Sequence, residues 1–259
     1  MASLMNFRLF GTISTFIACG ICQPAMAQSD IYMRLGAGVS FGSQTELHDL
    51  DCSAVNPPAL FGCGAGIDGA PLGAKVDAGS SANLDLALGT QIAPNIRSEI
   101  IASVYGKREL RGNANFLRSG ESQPVSGDIR SFSVMGAVYW DLPKLGAFQP
   151  FVGGGLGVSR HRISKVRYDF PSLGQTAATI TPSGSKSDLA MMLTAGTSLP
   201  LSERLSVEMA YRFADLGHFQ TSAADATIIR TARSLSIAID GTKGRLRTHG
   251  AILSLRHTF

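Results

Sequence analysis

The sequence predicts an all-β fold, an eight-stranded antiparallel β-barrel that crosses a membrane, and three observations support this prediction. Eight segments of about ten residues alternate apolar and polar side chains with the period of two that is typical of strands. The polar rows are rich in glycine, serine and alanine and carry charges of both signs. Long and short connectors alternate between the segments, as they do in outer-membrane barrels.

The segment 1–27 predicts a cleaved secretory signal peptide, which leaves residues 28–259 for the barrel. Arg8 is the only charge ahead of the apolar stretch LFGTISTFIACGIC, and the letters AMA then give a small-x-small cleavage pattern. The apolar stretch is shorter than the roughly 20 residues that a membrane-spanning helix needs. A lipoprotein signal at Cys19 or Cys22 is the alternative, although the bulky Phe-Ile pair upstream disfavours it.

The eight predicted strands follow one another in chain order, each with its apolar residues on a single face. Their sequences are IYMRLGAGVSF, NLDLALGTQI, IRSEIIASVYGK, SFSVMGAVYWD, FVGGGLGVS, LAMMLTAGTSL, LSVEMAYRFAD and THGAILSLRHTF. The connectors APN, PKLG and PLSER are short, and the other four are predicted as long loops over about 42–82, 108–130, 160–187 and 215–245. This alternation predicts four long extracellular loops and three short periplasmic turns, with both termini on the periplasmic side.

The polar rows indicate which face of the strands points outward. A soluble lipocalin-like barrel would turn its apolar rows inward around a ligand, whereas an outer-membrane barrel turns them toward lipid. Water-facing rows would carry a denser coat of lysine and glutamate, while small residues relieve crowding inside a narrow barrel. The charged side chains expected to form an ion-pair network in the lumen are Arg34, Asp85, Arg97, Glu99, Glu208, Arg212 and Arg256. We expect a largely filled lumen, and a narrow pore for small solutes is the alternative.

Composition disfavours several classes of function. Only 16% of the residues are charged, compared with about a quarter in ordinary soluble domains. The net charge of +4 and the sequence pI of about 9.0 suggest some affinity for anionic surfaces. The sequence contains no basic helix, zinc-ligand cluster or aromatic platform, so we expect no nucleic-acid partner, metal or cofactor.

Two cysteines follow the predicted signal peptide, Cys52 and Cys63 in DCSAVNPPALFGCG. An exported chain enters an oxidising compartment, so a disulfide between them is predicted. Two unpaired thiols are the alternative. A metal site is less favoured, because two thiols alone do not complete a tetrahedral shell.

A basic rim is predicted where the strands leave the outer leaflet. Its members are Lys107, Arg108, Arg111 and Arg118 on the second long loop, and Arg160, Arg162, Lys165 and Arg167 in RHRISKVR. The functional hypothesis is that they contact lipopolysaccharide phosphates or an acidic partner through charge-assisted hydrogen bonds. The alternative is ordinary solvated charge on a loop.

Catalysis by a histidine beside a serine, as in a lipid-modifying enzyme, is a weaker alternative. His161 and Ser164 in SRHRIS would lie on opposite faces of a strand, so they could not form a dyad there. Asp215, His218 and Ser222 lie near a loop entrance in no arrangement that indicates a triad. We therefore expect that the protein is not an enzyme.

Two stretches, SFSVMGAVYWDLPKLGAFQPFVGGGLGV and TAGTSLPLSERLSVEMAYRFADLGHF, resemble the opacity-protein and OmpA-like outer-membrane β-barrel family. The resemblance covers most of residues 28–259. It implies a location in the Gram-negative outer membrane, loops at the cell surface and no catalytic residues. The implied function is a structural and surface-interaction role, adhesin-like or opacity-like, with outer-membrane lipid, lipopolysaccharide and extracellular or host molecules as partners. The oligomeric state is left open.

The last strand also resembles the signal that the barrel-insertion machinery reads. Leu253, Leu255 and Phe259 carry this resemblance, with apolar residues alternating up to a final aromatic residue. His257 departs from the pattern, because an aromatic or apolar residue is common at that position. The insertion machinery is therefore an expected partner.

Overall fold

The computed structural model describes residues 31–117, 120–231 and 233–259, so the predicted signal peptide and Arg118 lie outside the described residues. In chain order the strands are β1 (Ile31–Gly42), β2 (Gln44–Asp49), β3 (Ala74–Asp77), β4 (Ser80–Ala93), β5 (Ile96–Ala114), β6 (Pro124–Asp141), β7 (Gln149–Ile163), β8 (Arg167–Asp169), β9 (Ala178–Ile180), β10 (Gly184–Pro200), β11 (Leu205–Gln220), β12 (Ala224–Arg230), β13 (Arg233–Ile239) and β14 (Thr242–Thr258). One 3₁₀ turn lies at Pro171–Leu173. Within these ranges no helix is long and apolar enough to cross a membrane.

Eight long strands form a closed antiparallel ring in the order β1, β4, β5, β6, β7, β10, β11 and β14. Closure joins the first strand to the last, with Leu35 opposite Leu255 and Ser40 opposite Gly250. Because every ring strand pairs on both sides, its backbone N–H and C=O groups find partners without water, as a hydrocarbon environment requires. The predicted eight-stranded barrel is confirmed.

The side chains of the ring alternate between an apolar outer face and a polar inner face. On β1, Leu35 is 59% exposed and Arg34 is 4% exposed, while on β4 Leu86 and Asp85 are 49% and 1% exposed. Each ring strand contributes to an exposed apolar belt, for example through Leu35, Leu86, Ile100, Val134, Leu156, Leu193, Met209 and Leu253. A continuous apolar belt of this kind is suited to lipid and not to water.

The two ends of the barrel differ in their connectors. At one end β1 begins, β14 ends and the connectors are short turns, at residues 94–95, 142–148 and 201–204. At the other end the connectors are longer, at residues 43–79, 115–123, 164–183 and 221–241.

The strands at the second end run further than the sequence predicts. β5 continues to Ala114 and β6 begins at Pro124, so the loop predicted over 108–130 shortens to 115–123, and the other predicted loops shorten similarly. Beyond the apolar belt the outward side chains are polar as well, so the alternation of apolar and polar residues is lost from the sequence. The backbone pairing between strands nevertheless continues. The barrel wall therefore extends beyond the apolar belt.

The long connectors fold into a cap, which we define as β2, β3, β8, β9, β12 and β13 with their linking residues. The β2–β3 hairpin inserts between the ends of β14 and β5, above the points where β1 and β4 stop. On the other side β8, β9, β12 and β13 extend the sheet from the end of β6. Much of the cap is thus a continuation of the wall.

An apolar core lies inside the barrel at the capped end. Its fully buried members include Leu47, Leu110, Ile129, Leu216, Phe219 and Leu246. Burying one such side chain contributes about 1.5–3 kcal/mol, so this core fastens the cap to the wall. The interior consequently has two layers, a charged layer inside the belt and an apolar layer beneath the cap.

Candidate functional site

The charged side chains of the lumen form ion pairs across the barrel. The Arg34 guanidinium lies 2.6 Å from Oε2 of Glu99, and the Tyr32 hydroxyl donates to Oε1 of Glu99 at 3.0 Å. Arg212 Nη1 lies 2.8 Å from Oδ2 of Asp85. All these side chains are buried, so the charges are compensated by one another and not by bulk water.

Arg97 is the centre of a second group of ion pairs. It lies 3.2 Å from Oε1 of Glu208 and 3.0 Å from Oδ2 of Asp141, and Glu208 also meets Arg256 at 2.9 Å. The Arg97 guanidinium is 5.1 Å from the centre of the Tyr139 ring, a favourable cation–π position. Asp141 is missing from the predicted network, although the alternation of β6 places it on the inner face.

The two groups meet at two contacts, between Arg34 and Glu208 at 3.8 Å and between Arg97 and Glu99 at 3.7 Å. Arg34 also lies 4.0 Å from Asp85, so the structure brings all seven predicted lumen residues into one cluster. Two cavities of about 10 Å³ lie beside Arg212, each with room for about one water molecule. This packing favours a filled lumen over a narrow pore.

The first long connector is folded back on itself by a carboxylate and a disulfide. Asp49 accepts hydrogen bonds from the backbone N–H groups of Leu60, Phe61 and Gly62 at 3.0, 3.0 and 2.8 Å. Burial raises the pKa of the Asp49 carboxyl, and the three N–H donors act in the opposite direction. The predicted disulfide between Cys52 and Cys63 is confirmed and closes the same segment.

Phe61 anchors this segment in the apolar core. Its ring meets Phe116 and Tyr168 edge-on, each at 5.7 Å between ring centres. Burial raises the pKa of the Tyr168 hydroxyl well above its usual range. The three rings come from different connectors, so they join the connectors into a single folded unit, which the sequence alone does not reveal.

A cavity of about 710 Å³ opens beside the first connector. It is lined by apolar side chains such as Leu50 and Leu72 and by charged ones such as Lys75 and Lys243. Its lining residues come from separate parts of the chain, including residues 46–52, 113–115 and 243, so no local sequence pattern indicates it.

Several large apolar side chains are exposed on the cap, away from the belt. They are Val55 (86%), Ile67 (57%), Leu173 (44%), Leu235 (43%) and Ile237 (40%). Leu235 and Ile237 lie on β13, which in the described chain pairs only with β12. Exposed apolar groups together with a free strand edge are typical of contact surfaces.

Arg108 does not belong to the basic rim, contrary to the prediction. A β-bulge between Tyr105 and Arg108 adds one residue to β5 and reverses the alternation beyond it. Arg108 is therefore 1% exposed, and its guanidinium donates to the carbonyl oxygens of Ser40 and Gly79 at 3.1 Å. It ties β5 from the inside to β1, which lies beyond β4 in the ring, and to Gly79 in the first connector.

The other predicted rim cations in the described residues fall into two groups. The paired group contains Lys107 with Asp128 at 3.0 Å, Arg111 with Glu109 at 2.6 Å and Arg167 with Asp169 at 2.7 Å. The second group has no acidic partner in the described chain and contains Arg160, Arg162 and Lys165. Arg130, which is not among the predicted rim residues, is exposed and belongs to this second group.

The two histidines considered for catalysis lie in different surroundings. His161 is fully buried, with Nδ1 2.8 Å from the Ser131 hydroxyl and Nε2 2.8 Å from the Leu216 carbonyl oxygen. His218 Nδ1 lies 2.8 Å from Oδ2 of Asp188. Among the described residues neither histidine contacts a serine and a carboxylate together.

The predicted insertion signal lies on the outer face of β14 and on Phe259, the residue that follows the strand. Leu253, Leu255 and Phe259 are 59%, 47% and 67% exposed. The His257 ring stacks edge-on with Phe259 at 5.2 Å between ring centres, which gives this residue a local partner on the outer face. The use of these residues by the insertion machinery stays a prediction.

Comparisons with known proteins identify distant relatives and a shared fold. No model of a protein family matches the chain. A curated protein of Rickettsia bellii (strain OSU 85-389) described as "Putative adhesin" is 28% identical over 142 residues, 54% of this chain and 61% of that protein. A Rickettsia typhi protein with the same description is 26% identical over 151 residues, 56% of this chain and 64% of that protein. The chain thus spans less than two thirds of these curated relatives.

Among solved structures, the outer membrane protease OmpT from Escherichia coli superposes with a TM-score of 0.52 and 8% sequence identity, covering 89% of this chain and 97% of that chain. At this identity the likeness shows the fold alone. The closed ring, the apolar outer belt and the charged lumen define this chain as an outer-membrane β-barrel, the class that the opacity-like and OmpA-like resemblance implies.

Proposed function

We propose that this chain is an integral protein of the cell outer membrane, exported by its amino-terminal segment, with a surface-interaction role of the adhesin type. In this proposal the barrel anchors the chain in the membrane, and the cap contacts extracellular partners. The observation that carries it is the combination of a tightly packed, charge-compensated lumen with a folded cap. A packed lumen is unsuited to transport, and an ordered cap is suited to specific contact.

The contact surface in this proposal centres on the β12–β13 hairpin. Six of the seven residues of β13 are exposed, including Leu235 and Ile237. An exposed ribbon of this kind offers apolar side chains and unpaired backbone groups to an extracellular partner. The adhesin descriptions of the Rickettsia relatives support the same role. The cavity beside Leu50 and Lys75 is a second binding site in this proposal, with room for part of a host or other extracellular molecule.

The experiment compares three versions of the chain on the surface of a non-adherent Gram-negative strain, with cultured epithelial monolayers as the probe. Leu235→Ser with Ile237→Ser should reduce adherence several-fold, while the control Val55→Ser, an exposed apolar residue elsewhere on the cap, should leave most of it. Heat-modifiable gel migration verifies that each barrel is folded. Equal adherence of all versions and of the empty strain would contradict the proposal.

A further inference from the structure

Three arginines stand close together on the outer face of β6 and β7. Arg130 and Arg162 are direct cross-strand neighbours, and Arg160 lies two residues from Arg162 on the same face. Side chains directly opposite one another have Cβ atoms about 4.5–5.5 Å apart, and residues two apart on a strand are separated by about 7 Å. The three guanidinium groups can therefore converge on one small anion.

These arginines lie immediately above the apolar belt. The last apolar row across β6, β7 and β10 is Val134, Val158 and Leu189, exposed by 36%, 55% and 77%. The next outward row is Phe132, Arg160 and Ser187, and the row above it is Arg130, Arg162 and Ser185. Cations and hydroxyls thus begin where the acyl chains of a surrounding leaflet would end.

The cluster lacks an internal counter-charge. Like charges directly opposite on neighbouring strands are destabilising, and Arg130 faces Arg162 with no acidic partner for either in the described residues. The nearest acid along β6 is Asp128, which is engaged by Lys107 at 3.0 Å. An anion from outside the chain would therefore offset a charge that the described residues leave uncompensated.

Another part of the wall shows the opposite arrangement. On β14 the outward arginines Arg245 and Arg247 lie 2.8 and 3.1 Å from Asp215, so each has an acidic partner within the chain. The contrast makes the β6–β7 cluster distinctive, and it provides a matched control.

We propose that Arg130, Arg160 and Arg162 form a binding site for the phosphate groups of an anionic lipid headgroup in the outer leaflet, with Ser185 and Ser187 as neighbouring donors. This inference rests on the proposed location in the outer membrane. Three charge-assisted hydrogen-bond donors match a phosphate, and the belt below them matches the acyl chains of the same lipid.

The test uses the full chain refolded in zwitterionic micelles, with fluorescent bisphosphorylated lipid A as the probe. The triple variant Arg130→Gln, Arg160→Gln, Arg162→Gln should bind lipid A about tenfold more weakly or worse. The control Arg245→Gln, Arg247→Gln should bind as the unaltered chain does. Dephosphorylated lipid A should bind poorly, and inorganic phosphate at equal concentration should not displace the lipid.

Equal binding by the triple variant, or equal binding of dephosphorylated lipid A, would overturn the inference. If the triple variant does not fold, two measurements replace it: lipid A binding by Arg162→Gln, and lipid A binding by the unaltered chain over a series of salt concentrations. Lipid A binding that changes neither with the substitution nor with salt overturns the inference. If the unaltered chain folds and supports adherence but does not bind lipid A, the inference is overturned and the proposed function is left intact. A chain that does not fold in micelles overturns the membrane location and the inference together.

Discussion

The Arg34 guanidinium lies 2.6 Å from the Glu99 carboxylate inside the barrel, although β1 and β5 are not neighbours in the ring. The pair therefore reaches past the inner face of β4, the strand that separates β1 from β5. Arg97 on β5 pairs with Glu208 on β11, which lies on the opposite side of the ring, so this contact crosses the lumen. The charged layer thus links distant strands and resists both collapse and opening of the ring.

Breaking one of these pairs should destabilise the barrel strongly. Glu99→Ala leaves Arg34 buried without its closest counter-charge, and such losses cost about 3–5 kcal/mol. Replacing both residues with methionine should cost much less, since no unpaired charge remains. Urea unfolding in lipid vesicles measures the difference. A double variant that is as unstable as Glu99→Ala would contradict this explanation.

The filled lumen predicts the absence of stable conductance. The cavities beside Arg212 hold about one water molecule each, and the apolar layer beneath the cap offers ions no polar path. Purified, refolded chain in planar bilayers should therefore give no steady channels. Regular open levels from the pure protein would favour the narrow pore instead.

The first connector should loosen when its carboxylate is removed. Asp49→Ala leaves three N–H groups without an acceptor, at a cost of about 2 kcal/mol, which is roughly 30-fold in the rate of local opening. Hydrogen exchange at residues 60–62 measures the effect. The control Asp51→Ala, whose carboxylate bonds only to Ser53 in the described chain, should leave exchange there unchanged. Equal protection in both variants would count against the role of Asp49.

The glycines of β6 and β7 should tolerate an added side chain on the outer face of the barrel but not on the inner face. A Cβ at Gly153 would collide with the Tyr139 ring, whereas a Cβ at Gly136 on the outer face would meet only the Leu156 carbonyl oxygen at 4.0 Å. Gly153→Ala should destabilise the barrel by about 1–3 kcal/mol through overpacking, and Gly136→Ala should be nearly neutral. Comparable thermal midpoints for the two variants would refute this.

The barrel was predictable because lipid on one side and close packing on the other impose a strict period of two. That period places Arg34, Asp85 and Arg97 inside without any knowledge of their partners. It fails at Arg108, because a β-bulge reverses the alternation and single-sequence patterns do not reveal bulges.

The cap was not predictable for a different reason. Its strands are short and its core depends on contacts such as Phe61 with Tyr168, which join connectors far apart in the chain. Arg130 is an intermediate case, since extending the alternation of β6 two residues beyond Phe132 places it on the outer face. The alternation that places Arg130 outside is therefore present in the sequence, but Arg130 lies just outside the apolar segment that predicts the strand.

The central claim, a membrane barrel whose cap faces the outside of the cell, is tested most directly by cysteine labelling in intact cells. Ser236→Cys on β13 and Glu203→Cys in a short turn both place a thiol at an exposed position. A membrane-impermeant maleimide should label Ser236→Cys in intact cells, and Glu203→Cys only after the outer membrane is permeabilised. Labelling of Glu203→Cys in intact cells, with Ser236→Cys protected, would contradict the account.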